Sequence, residues 1–170
     1  MYSAKCLRSR KPLQTISDLE QLFFRVFLWF EREKGSLPIK PAFAIFKEKT
    51  GYLDFLRQNS LFLSEQDVAS EACTIFKMDG KLEITIAVQN SLSKEPLLLQ
   101  ICILMHELNH VHEETKTGKI TFRILEPKDA TKNREITTWM DSLNLTEQYM
   151  GKSLPSWVKQ YVLARLEKEL

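Results

Sequence analysis

At 170 residues, with 44% apolar and 27% charged side chains, the chain is sized for one domain around one substantial core, and with only five Gly and six Pro it is not a disordered protein. Lys and Arg outnumber Asp and Glu by 24 to 22, so the net charge of +2 offers little long-range attraction to a polyanion, and direct nucleic-acid binding is not expected. Cys6, Cys73 and Cys102 form neither a disulfide framework nor a CxxC knuckle, which suits a reducing compartment.

Residues 1–14 read as an extended arm whose basic residues Lys5, Arg8, Arg10 and Lys11 belong to a solvated terminus. They are not followed by the apolar and small-residue order of a signal peptide. The first apolar run, FFRVFLWF, is interrupted by Arg25 and too short to span a bilayer, so a cytoplasmic chain with no membrane partner is expected. The remaining residues, 15–170, are expected to form a single domain.

Helix is signalled next by Ser17 with Glu20 three positions on, a pair able to satisfy each other's exposed backbone donors. Leu19, Leu22, Phe23, Val26, Phe27 and Phe30 follow at helical spacing, giving a broad aromatic core face that ends near Gly35. Beyond Pro38 and Pro41, AFAIFKEKTGYLDFLRQNSLFL reads as one or two short helices or turns, with Phe43, Phe46, Leu53, Phe55 and Leu56 in the core. Ser64 with Asp67 marks a further short helix through Ala72.

The period then changes. Leu82, Ile84, Ile86 and Val88 alternate with Glu83, Thr85 and Ala87 as in a half-buried strand, and Asp79-Gly80 suits the tight turn of a hairpin. A small antiparallel sheet is expected here. Pro96 fits a helix start, and Leu97 to Met105 is apolar on nearly every side, the mark of a central helix buried around its circumference. HEETKTGKITFRILEPKDATKN reads as a polar connection with a short strand-like ITFRIL, and Glu135 to Tyr149 and Ser156 to Leu166 as two last helices.

All the chemistry-bearing histidines lie at the end of the apolar run. His106, Glu107, Leu108, Asn109 and His110 spell HExxH, and in a chain with only three histidines an accidental match would be rare. Residues four apart on a helix stand one above the other, so His106 and His110 can share one Zn(II). Glu107, about 100° round, can take a proton from a water that the ion activates toward a carbonyl.

A tetrahedral catalytic zinc takes a third protein ligand. His112 lies on nearly the opposite face of a continuing helix, so it is a ligand only if the helix ends at His110, and otherwise a surface or substrate-contacting residue. Among the downstream acids Glu126, Asp129, Glu135 and Asp141, the first two flank Pro127 in a loop. Glu135 lies in the first turn of a helix that can pack across the central one, and is preferred. The plainer account of it is a first-turn acid favoured by the helix dipole. Glu113 and Glu114 are expected to face solvent or to support the ligands. His112, Tyr149 and Tyr161 have the chemistry to contact substrate or stabilise an oxyanion, and no spacing selects among them.

A hairpin, an apolar run entering HELNHVH, a polar interval and then NREITTWMDSL resembles, over about Ala72 to Leu143, the zinc metallopeptidase domain of the ImmA/IrrE type. That family carries HELGH and, some tens of residues on, a helix beginning like E-R-E-A-N-x-F-A whose second glutamate is the third ligand. Arg134-Glu135 matches the R-E core, which implies His106, His110 and Glu135 as zinc ligands and Glu107 as the catalytic acid/base. Asn109 replaces the usual glycine, Asn133 the first glutamate, and Ile136-Thr137-Thr138-Trp139 the small Ala-rich pattern. The resemblance implies an α+β, mostly helical zincin-like fold and a protein or peptide substrate such as a transcriptional regulator. The rival expectation is a catalytically silent, metal-stabilised interaction domain acting on a transcription factor.

Overall fold

The computed structural model describes residues 16–59, 70–117 and 128–169. In chain order these form α1 (Ile16–Lys34), β1 (Ala42–Phe46), α2 (Lys49–Asn59), β2 (Ala72–Asp79), β3 (Lys81–Gln89), a 3-10 turn (Asn90–Lys94), α3 (Leu97–Thr117), α4 (Lys128–Met150) and α5 (Ser156–Glu169). The class is α+β and mostly helical, as expected. The arm 1–14, the Ser64 to Asp67 helix start, ITFRIL and Glu126 lie outside the described residues, as does the side chain of Ser17. No helix among the described residues is long and apolar enough to cross a membrane.

The hairpin forms where the period changes. β2 and β3 pair antiparallel from Ala72↔Val88 to Asp79↔Lys81, and Gly80 closes the turn with φ of +73°, a backbone state glycine adopts without a Cβ penalty. The sheet is nevertheless mixed rather than antiparallel. Ala42–Phe46, read above as helix or turn, is a strand that runs parallel to β3 in the order β1-β3-β2. Five residues are too few to show a period, and the pairing that makes them a strand comes from residues about forty positions later. Ala72 likewise belongs to β2 and not to a helix end.

Side-chain parity divides the sheet into two faces. Phe43, Ile45, Ala72, Ile84, Ile86 and Val88 join the main core with α1, α3, α4 and α5. Cys73, Ile75 and Ala87 face the other way and are covered by Tyr52 and Leu56 of α2. The strands are therefore covered on both faces along part of their length, more than the half-burial their alternation implies.

The aromatic face of α1 is buried as its spacing requires, from Leu19 through Phe30, and the helix stops at Gly35, φ +95°. On α3 every residue from Leu99 to Val111 is buried, which makes it the central helix. It runs on to Thr117, so HEETKT is helical and not the start of the connection. Its polar Gln100 is tolerated inside the apolar run because Nε2 donates to the carbonyl oxygen of Glu95 at 2.7 Å, beside the helix start. The N-terminal part of α4 is also longer than expected. Asp129 falls inside it rather than in a loop, and Glu135 is its eighth residue, in the third turn rather than the first.

Burial pushes the thiol of Cys102 on α3 up to about 12, against a hydrogen bond with Thr146 that pulls it down. Alkylation needs the thiolate, and an unperturbed thiol titrates at about 8.5. Iodoacetamide at a pH of about 8.5 is expected to leave Cys102 unmodified in the native protein and to label it in guanidinium, as read by peptide mass spectrometry. Equal labelling in the two states would mean that the central helix is not packed as described.

Candidate metal centre

The central helix reaches the centre of the fold because its apolar run is buried all round, and its polar end carries the HExxH residues in with it. His106 and His110 are each 5% exposed and Glu107 is 6% exposed. The one-turn separation places their imidazoles together, with Nε2 of His110 3.0 Å from Nε2 of His106 and the rings edge-on.

Glu135 completes the group from α4. Its Oε2 is 3.4 Å from Nε2 of His106 and 3.5 Å from Nε2 of His110, and the side chain retains 22% exposure, so the group opens on that side. Among the described residues His106, His110 and Glu135 are the set of donors that converges. The donor set fits zinc. Zn–N and Zn–O distances of about 2.0–2.2 Å put tetrahedral ligands about 3.4 Å apart, and the three atoms here lie on a circle of radius about 1.9 Å.

The electrostatics favour the ligand forms. Burial, helped by the neighbouring His110, pushes the pKa of His106 down and disfavours the imidazolium, the form that cannot ligate a metal. Burial by itself would raise Glu135, but hydrogen bonds with His106 and His110 overrule it and hold the carboxyl well below the usual range, as an anion.

Glu107 is anchored by the sheet. The Thr74 hydroxyl on β2 donates to Oε2 of Glu107 at 2.7 Å, fixing the rotation of the carboxylate next to His106. Thr74 was missed in the sequence. Its available signal is parity, since it alternates with Cys73 and Ile75 on the opposite face and is a polar residue directed toward the helix that carries the histidines.

α3 and α4 run antiparallel, joined by a series of polar contacts. Asn109 Nδ2 donates to Ser142 Oγ at 3.0 Å, and Arg134 Nη1 bonds Glu114 Oε1 at 3.3 Å. The Thr138 hydroxyl lies 3.4 Å from Glu113 Oε2. The Ser142 hydroxyl, an acceptor for Asn109, donates its own hydrogen to the Thr138 carbonyl, and the Thr146 hydroxyl donates to that of Ser142 in the same helix. Asn109, at the glycine position of the resembling family, thus sets the register that brings Glu135 opposite the histidines. Glu114 is buried and ion-paired rather than solvent-facing. Glu113 is half-buried, with its pKa raised by burial and by Asp141 against the Thr138 contact.

The other candidates lie elsewhere. Because α3 continues past His110, His112 turns to α1, edge-on to Phe30 with centroids 6.0 Å apart. Tyr149 is edge-on to Trp29 at 5.3 Å. Tyr161 accepts a hydrogen bond from Arg165 at 3.2 Å. Asp141 is outside the converging set. Comparison with family models, with curated proteins and with solved structures gives no match to this chain.

Proposed function

We propose that the chain is a zinc-dependent peptidase. The reading rests on one observation: three donor atoms from two helices converge to within 3.5 Å of one another, next to a buried carboxylate held by the sheet. His106, His110 and Glu135 would hold the ion. Bound there, zinc supplies Lewis-acid polarisation of a carbonyl and lowers the pKa of water.

The chain's own residues do the rest. Glu107, oriented by Thr74, accepts a proton from the attacking water and passes it to the leaving amine. The two imidazoles are shielded from bulk water, and Glu135 is the member of the group that keeps exposure, on the side from which a substrate would approach. The resemblance to ImmA/IrrE-type enzymes supports a regulatory protein, such as a transcriptional regulator, as the substrate class, and the unpaired spacing of the three cysteines supports a reducing location such as the cytoplasm.

A second reading is favoured by the burial of the histidines, which equally suits a metal that only stabilises an interaction domain. The experiment that separates the two is elemental analysis of natively purified protein, combined with digestion of an unfolded protein such as casein. One zinc per chain is expected, with cleavage that stops on chelation and returns with zinc. A chain that takes up no zinc would overturn the metal reading; zinc with no cleavage of any protein substrate would leave the interaction domain.

A further inference from the structure

A histidine that binds a metal through one ring nitrogen is ordinarily oriented by a hydrogen bond at the other. His106 departs from this. Its Nε2 faces His110 and Glu135, while Nδ1 is buried with no hydrogen-bond partner among the described residues.

The ring is held differently. The indole of Trp139 stacks on the His106 imidazole with centroids 3.9 Å apart and planes within 17°. Trp139 is 2% exposed and lies one helical turn after Glu135, on the same face of α4. It is itself packed in place. The Arg165 guanidinium of α5 lies 5.6 Å from the indole centroid, and Arg165 is held by Glu71 at 2.8 Å, next to the start of β2.

We propose that Trp139 is the positioning residue for His106, its flat face doing for the imidazole what a hydrogen bond at Nδ1 does elsewhere. A hydrogen bond fixes a ring by direction, and a stacked indole fixes it by plane. Rotation of the imidazole about its Cβ–Cγ bond would break the stack and move Nε2 away from the other two donors. One helix thereby supplies both the third donor and the support for the first. This inference rests on the metal reading above.

The test compares the parent with W139F, which keeps a ring face, and W139L, which keeps an apolar side chain without one. Zinc affinity is measured by competition with a chromophoric chelator, and the geometry by the visible absorption of the cobalt(II)-loaded protein. W139F is expected within about threefold of the parent, and W139L weaker by about 10- to 100-fold with an altered cobalt spectrum, the range for losing the orienting partner of a ligand. Parental affinity and spectrum in W139L would overturn the proposal, and so would a W139F as weak as W139L. A second measurement needs no variant at position 139: in the zinc-loaded parent, the His106 ring protons, assigned by their loss in H106Q, are expected upfield from the indole ring current. Ordinary shifts there would overturn the stack. A parent that binds no zinc fails the metal reading itself, an outcome separate from all of these.

Discussion

Glu107→Gln is expected to retain one zinc per chain and lose turnover by about 10²- to 10⁴-fold, the usual contribution of a positioned acid/base. Gln is isosteric and still accepts the Thr74 hydroxyl through its amide oxygen, so the 2.7 Å contact to β2 need not break. What it cannot do is take a proton from water. Zinc content and peptide release measured on the same preparation separate the two effects. Unchanged turnover would remove Glu107 from the mechanism, and loss of zinc would show that the carboxylate holds the site together rather than acting on substrate.

The second large effect is on metal retention. With Glu135→Ala the two imidazoles, 3.0 Å apart in the parent, are left with no third converging donor among the described residues. A structural zinc site is worth about 10–16 kcal/mol over four ligands, or about 3 kcal/mol each, so affinity is expected to fall by about a hundredfold. Chelator competition reads this directly. Because Glu135 keeps 22% exposure while the histidines are buried, the truncation opens the rim rather than the core, and the fold is expected to persist. An E135A chain that holds zinc as tightly as the parent would mean another residue is the third ligand.

These two residues differ in how far the sequence could place them. HExxH is a relation within one helix. The apolar run from Leu97 to Met105 is legible as helix from composition, and the four-residue spacing then brings the imidazoles together whatever surrounds them. The same locality makes the α1 stripe and the Asp79-Gly80 hairpin readable, since both are decided by residues a few positions apart. Glu135 could be preferred by the sequence among four acids, but its distance to the histidines depends on the register of α4 on α3, and residues such as Asn109 and Ser142 set it.

The missed features have that same long-range character. β1 is a strand because β3 lies beside it, and the sheet is mixed for that reason. Thr74 meets Glu107 across 33 positions, and Trp139 reaches His106 from another helix. His112 joins the site only if the helix ends at His110; continuation of α3 to Thr117 turns it to Phe30. Periodicity and motif spacing thus determined the central helix, the hairpin and the first two donors, because each depends on backbone geometry over a few residues. The position of Glu135 beside the histidines, the anchoring of Glu107 and the stacking of Trp139 on His106 were decided by tertiary packing, because they depend on how separate elements meet, and no local period encodes that.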